Sequence, residues 1–293
     1  MVGEQGWRHR AVVSLFLAPS LLPLLFFMVG PMASSIGLSF LSWDLISPAR
    51  WVGLANYRSL VHDHQFHAAL LHTLYFIAGY LPLVFAGGLV LALALNQRLK
   101  GIAWLRTIYF LPVITSWVVV ALVWKWLLNP EYGMINRILG LVGVSGPGWW
   151  LDPHWAMPSI ILASAWKDVG FTMVIFLSGL QAIPQDYYEA AALDGAGRWS
   201  RFRHVTLPLL SPASFFVVVI SLINNFQVFD QVWVMTQGGP AGATTVVVQQ
   251  IVQNAFGYGR MGYAAAMSWA LFAVILIVTV VQLRLQKRWV VYA

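Results

Sequence analysis

The chain has 293 residues, of which 59% are apolar and only 9% charged, and its mean hydropathy is +0.73. A soluble domain carries about 25% charged residues, so the composition excludes that class and specifies an integral membrane protein. The excess of 17 Lys and Arg over 10 Asp and Glu marks basic loops on the cytoplasmic side rather than a nucleic-acid surface, and the lack of cysteine excludes disulfides, thiolate metal sites and cysteine nucleophiles.

A bilayer core about 30 Å thick needs roughly 20 apolar residues of helix. Six stretches reach that length: 11–41, 70–95, 108–128, 156–180, 209–235 and 263–285. The first follows Arg8 and Arg10, and its apolar run far exceeds the h-region of a signal peptide. It reads as a retained anchor, with kinks or a broken start expected at Pro19, Pro23 and Pro31. Lys and Arg stay preferentially on the cytoplasmic side. Arg8, Arg10, Arg98, Lys100, Arg106, Arg198, Arg201, Arg203, Arg284, Lys287 and Arg288 fall on one side. Only Arg50, Arg58, Lys125, Arg137 and Arg260 fall on the other, and Lys167 lies inside a span. The bias puts both termini in the cytoplasm. No internal repeat stands out, which disfavours a self-contained inverted-repeat transporter.

Residues 181–210, QAIPQDYYEAAALDGAGRWSRFRHVTLPLL, form the longest cytoplasmic connection. Pro184 ends the preceding helix, and Asp186 with Glu189 three residues on has the spacing of a capping box. Ala190, Ala191 and Ala192 then favour a short helix with a small-residue surface. Gly195 and Gly197 stop it, since glycine tolerates the left-handed backbone of helix ends. A basic segment from Arg198 to His204 leads back, with Pro208 and Pro212 at re-entry. On spacing alone, Glu189 as the mere cap of a connector helix is an equal reading.

Polar side chains deep in a span are costly and face a bundle interior or an aqueous cavity. In the fourth span Ser164, Lys167, Asp168 and Phe171 lie at i, i+3, i+4 and i+7. Ser221, Asn224, Asn225 and Val228 repeat that spacing in the fifth. Two polar stripes at matching depth predict one cavity between them, whose amides and hydroxyls would suit a solute rich in OH groups, with Phe171 or Trp166 placed to cover an apolar face of it. The competing reading makes the amides and hydroxyls interhelical glue. Lys167 and Asp168 are adjacent and do not face each other squarely, so different partners are expected for each. Gln227, Asp230 and Gln231 lie towards the outer end and are weaker candidates, while bonding to the preceding turn accounts for Thr115 and Ser116.

The run Glu189-Ala190-Ala191, then Gly195, then Val205, Leu207 and Pro208 resembles the EAA signature of permease subunits of binding-protein-dependent ABC importers, with Val205 where isoleucine is usual. TQGGPAGATT from Thr236, AFGYGRMGYAAAMSW after it, WVGLANY from Trp51 and LNPEYGMINRIL from Leu128 are similar to the carbohydrate-uptake group that handles maltose and glycerol phosphate. The resemblance implies an all-α polytopic membrane protein with six transmembrane helices and the type I ABC importer permease fold. The chain would be a single permease domain, residues 1–293, containing the coupling loop 181–210. Glu189, Ala190, Ala191, Asp194 and Gly195 would couple to a groove of the ATPase subunit. Ser164, Lys167, Asp168, Phe171, Ser221, Asn224, Asn225 and Val228 resemble, by offset from these signatures, positions that line the family's sugar site. The implied partners are a second, similar permease, two ATPase subunits, an extracytoplasmic solute-binding protein and a sugar-like small molecule, in a bacterial or archaeal cytoplasmic membrane.

Catalysis is not expected of this chain. A P-loop needs lysine just after glycine, and Lys100, Lys125, Lys167 and Lys287 follow Leu, Trp, Trp and Gln. ATP and Mg are therefore assigned to the partner ATPase, and no cofactor to this chain. His62, His64 and His67 cluster with Asp63, a grouping read as solvated rather than metal-binding, and no Ser/His/Asp arrangement emerges. An ion-coupled secondary transporter is the main alternative, but only Asp168 and Asp230 lie within spans to carry protons or ions. A membrane enzyme and a six-span channel fit less well.

Overall fold

The computed structural model describes residues 7–97 and 100–291. Arg98 lies outside them, as do the side chains of residues 7–11. In chain order the helices begin with α1 (Trp7–Leu24), α2 (Gly30–Ser39), α3 (Ala55–Val61) and α4 (His64–Leu95). The middle of the chain forms α5 (Ile102–Ile114), α6 (Trp117–Leu127), α7 (Met134–Leu141), α8 (Pro153–Ala182), α9 (Gln185–Leu193) and α10 (Arg198–Arg201). It ends with α11 (Leu207–Leu209), α12 (Ser211–Phe226), α13 (Asp230–Met235), α14 (Val247–Val252) and α15 (Met261–Trp289). Among the described residues four helical runs are long and apolar enough to cross a bilayer, and two bent pairs bring the number to as many as six.

Those bends refine the expected spans. The first is helical from Val12 to Ser39, but five residues, Leu25–Val29, form a wide π turn between Pro23 and Pro31. Proline removes an amide donor from the ladder, and a wide turn restores pairing without ending the helix. The third span is two helices, α5 and α6, meeting at 99°. Thr115 and Ser116 take extended backbone at the junction, so they mark a break as well as bonding backward, the latter through Thr115 Oγ1 to the Leu111 carbonyl at 3.2 Å. The fifth apolar stretch also is not one rod: α12 ends at Phe226 and α13 starts at Asp230.

Contacts divide the chain into two units. The smaller takes the chain up to Asp63 together with Ile251–Ala270. Here a two-residue hairpin pairs Leu41 with Trp51 and Ser42 with Arg50. Its turn is held by Asp44, whose carboxylate accepts from the Ser47 and Ile46 amides at 2.7 and 3.0 Å. Those bonds, Ser47 first, hold the Asp44 carboxyl below its ordinary value of 3.8. The WVGLANY motif fastens the end of α2: Asn56 donates to the Ser39 and Leu41 carbonyls, and Tyr57 to the Ser39 hydroxyl at 2.8 Å. Tyr263 donates to Asp63 at 2.5 Å.

The larger unit comprises His64–Gln250 and Leu271–Ala293. Its axis is α8, which packs along α4 and also meets α5, α12 and α13. One apolar cluster, including Ala92, Met173, Phe176, Leu180, Leu210 and Val217, joins α4, α8 and α12, with Phe85 edge-on to Phe176 at 5.0 Å. Against α5 the approach of α8 is closer still, because Gly170 faces the Tyr109 carbonyl where any Cβ would collide. The TQGGPAGATT segment is a knot tied by Thr236 to Thr244 at 2.7 Å and by Thr244 to the Gly239 carbonyl at 2.7 Å. His72 at 3.0 Å from the Thr245 carbonyl, and Thr73 accepting from the Val247 amide, fix it to α4. In the LNPEYGMINRIL segment Asn136 bridges the Pro130 and Pro147 carbonyls and accepts from Trp149 Nε1 at 2.5 Å.

Candidate functional site

A cavity of about 440 Å³ opens in the larger unit where α8 faces the end of α12 and the breaks on either side. That volume is in the range of small-molecule sites. Asp168, Phe171 and Thr172 contribute from α8, and Ile220, Ser221, Asn224 and Asn225 from α12. The segment between α12 and α13 adds Gln227, Val228 and Phe229, and α13 adds Asp230 and Gln231. Tyr80 of α4 and the α5–α6 junction residues Val113 and Trp117 complete the lining.

The wall is built at helix ends, which explains its polarity. Where α12 stops, the next residues turn away from helical geometry, with Gln227 at the C-cap and Phe229 at φ −150°. Val228 is buried and lines the cavity from beyond the helix end, not from the helix face that its spacing predicts. Asn225 is buried and donates to the Ser221 carbonyl one turn back at 2.6 Å, and its amide also neighbours the Tyr80 hydroxyl. Asn224 is exposed to the cavity side, as are Gln227 and Asp230. Tyr80 donates to Asp168 Oδ2 at 2.8 Å.

Two of the eight residues expected here stand elsewhere. Ser164 is fully buried, its hydroxyl without a hydrogen-bond partner, and does not line the cavity. Lys167, only 5% exposed, lies behind the wall. Its ammonium donates to the Val113 carbonyl at 3.0 Å and sits 4.6 Å from the Trp117 ring centroid. Val113 is next to last in α5, where a helix carbonyl has no amide ahead of it. Lys167 therefore caps one arm of the 99° break and stacks on the first residue of the other. The expected separate partners are present, Val113 for Lys167 and Tyr80 for Asp168, and the two charges also approach to 3.9 Å. Trp166 packs edge-on to Trp124 at 5.8 Å, away from the cavity lining.

Tyr80, Val113, Trp117, Thr172, Ile220 and Phe229 were not indicated by the polar stripes. They come from helix breaks and from aromatic positions of other spans, where an apolar run carries no periodic signal. Gln227, Asp230 and Gln231, weaker on spacing alone, all reach the wall.

The second feature is α9, nine residues joined to α8 by Ile183 and Pro184. Its N-cap is Pro184, with no side-chain cap bond, so the expected capping box is absent. The helix starts two residues earlier than that box requires, placing Asp186 inside its first turn, where a carboxylate still complements the helix dipole. The other end is a Schellman closure: the Ala196 amide reaches the Ala191 carbonyl at 2.9 Å and the Gly195 amide reaches Ala192 at 3.1 Å. Gly195 adopts φ +78°, as its place requires. Gly197 does not share that conformation; it is the extended N-cap of α10. Glu189, Ala190, Asp194 and Gly195 are exposed, Ala191 half-buried, and Leu193 is 90% exposed. Among the described residues no three His, Asp or Glu side chains converge as metal ligands.

Residues 84–291 match the family model described as the inner membrane component of binding-protein-dependent transport systems. Over 286 residues the chain is 36% identical to the probable ABC transporter permease protein YurN of Bacillus subtilis, covering 96% of this chain and 97% of that one. It is 35% identical to the trehalose/maltose transport system permease protein MalF of Thermococcus litoralis, covering 98% and 97%. Among solved structures, a chain of a bacterial ABC transporter involved in import of the acidic polysaccharide alginate superposes with a TM-score of 0.83 at 26% identity, over 96% of each chain.

Proposed function

The chain belongs to the family of inner membrane components of binding-protein-dependent transport systems, and from that premise we propose that it forms half of an ATP-driven path for a sugar or related polyhydroxylated solute. The observation that carries this reading is the cavity itself. Its amides, hydroxyl and carboxylate from Asn224, Asn225, Gln231, Ser221 and Asp168 stand in one lining with the aromatic residues Trp117 and Phe171. Ring hydroxyls need many donors and acceptors, and the apolar face of a sugar ring needs an aromatic. Names of relatives at 33–35% identity, which transport trehalose/maltose or arabinooligosaccharides, agree with that class.

A similar permease supplies the facing half, and two ATPase subunits bind ATP and Mg below. Both termini lie in the cytoplasm by the charge bias. In that orientation α9, with Glu189, Ala190, Ala191, Asp194 and Gly195, seats in the ATPase. Its exposure and its closed C-terminal end support this role, because a docking stub must keep its own shape while offering small side chains to a partner. A solute-binding protein delivers from outside. ATP-driven closure turns the path outward and hydrolysis resets it.

The test uses the assembled importer in liposomes. Solute-loaded binding protein should stimulate ATP hydrolysis, and Glu189→Lys should abolish that stimulation while solute still binds. Stimulation unchanged in Glu189→Lys would refute the coupling role.

A further inference from the structure

The cavity carries charge of one sign. Among the described residues that line it, Asp168 and Asp230 are acidic and none is Lys, Arg or His. The adjacent cation, Lys167, is withheld: it is 5% exposed, fastened to the Val113 carbonyl at 3.0 Å and held over Trp117. Swinging it into the cavity would uncap the end of α5. Lys167 and Tyr80 together offset the charge of Asp168. Asp230 has no such relief; it is exposed in the first turn of α13 and makes no ion pair among the described residues. Phe171 and Phe229 add aromatic rings to the lining, a type of group that attracts ammonium, whereas the Trp117 ring already carries the Lys167 ammonium.

We propose that this cavity selects its solute by charge, admitting neutral and ammonium-bearing sugars and turning away those that carry carboxylate, sulfate or phosphate. The inference rests on the cavity being the solute site. An anionic sugar would meet the Asp230 carboxylate with no cation from this wall to compensate, and like charges in a partly desolvated site repel strongly. An amine would instead find a free carboxylate and aromatic faces.

The experiment uses the complete importer, both permeases with the ATPases, in nanodiscs and without the binding protein, so that the delivery step imposes no filter of its own. Equilibrium binding is measured for radiolabelled glucose, glucosamine and glucuronate at about pH 6.5, where an amine near its usual range is mainly protonated. Glucosamine should bind at least as tightly as glucose, and glucuronate about tenfold more weakly or worse. Asp230→Asn should close most of the gap between glucose and glucuronate. Asp168→Asn, which keeps an acceptor for Tyr80, should narrow it further in the double variant. Glucuronate binding as well as glucose to the unaltered complex would overturn the proposal. So would discrimination that survives undiminished in the double variant, since it would then arise from the other permease. Failure of all three sugars to bind is a separate result; it would remove the solute-site reading itself and the charge filter with it.

Discussion

Replacing Lys167 by methionine tests whether this residue is a clasp on the broken third span or a contact for solute. Methionine keeps most of the side-chain volume and removes the ammonium. Leaving the Val113 carbonyl without its 3.0 Å donor costs about 1–3 kcal/mol. Loss of the ammonium from its place 4.6 Å from the Trp117 ring centroid removes roughly 0.5–2 kcal/mol more. The 3.9 Å approach to Asp168 adds little, because that carboxylate is partly open to solvent. Against these losses stands the desolvation of the ammonium, several kcal/mol in its own right and relieved in the variant, so the single substitution changes net stability little and the coupling between two substitutions is the decisive quantity. The assay is reversible denaturation in mixed micelles for the parent, Lys167→Met, Trp117→Leu and the double variant. The two substitutions should be non-additive by about 0.5–2 kcal/mol, since each removes the same contact. Effects that simply add would refute the clasp; additive effects together with weaker solute binding in Lys167→Met would point back to a ligand.

Other outcomes follow from single contacts. Gly195→Val forces a β-branched residue to φ +78° and should cost about 1–2 kcal/mol in local helix stability, read as faster amide exchange across α9 and lower solute-stimulated ATPase with solute affinity unchanged. Gly170→Leu should prevent α5 from seating on α8 at the Tyr109 carbonyl and abolish recovery of folded protein from the membrane, whereas Gly197→Ala, with open space and ordinary backbone, should be recovered normally. Tyr80→Phe removes the 2.8 Å bond to the Asp168 carboxylate and should lower stability by about 1–3 kcal/mol and weaken solute binding several-fold in a direct binding assay. The Asp44 carboxyl is held below 3.8 in the folded hairpin, so its stabilisation is present above the ordinary carboxylate range and is lost as pH falls through the lowered folded value. Amide protection at Ser47 should decline in acid in the parent, while Asp44→Asn should show no such titration.

Much of this architecture was legible because membrane crossing is written in composition. What composition did not reveal were the interruptions. The run FQVFDQVW has no proline or glycine, yet α12 ends within it at Phe226 and α13 starts at Asp230. The spacing rule put Val228 on a helix face, whereas it lines the cavity from the segment between α12 and α13, and Gln227, Asp230 and Gln231, weaker by that rule, line it as well. Asp168 and Phe171 were readable because α8 is continuous there. Lys167 shares their stripe, yet the closeness of α5 to α8 at Gly170 brings a carbonyl within its reach and draws the ammonium off the cavity wall. Tyr80 and Trp117 were invisible because an aromatic in an apolar span carries no mark of facing a cavity. For the connection after α8, Pro184 and Gly195 did bound a helix. The capping box failed because proline already provided the extended residue at the start.

The unbroken course of α8 from Pro153 to Ala182 has a mechanical meaning. From Asp168 to its C-terminal end this helix is about 21 Å of stiff rod, and a two-residue joint links it to α9. A tilt of about 10° applied at that end would sweep the carboxylate's level through some 4 Å, about the width of a strand spacing. A small tilt at the α9 end would thereby become a displacement of that size at the cavity wall, without any part of the rod having to bend.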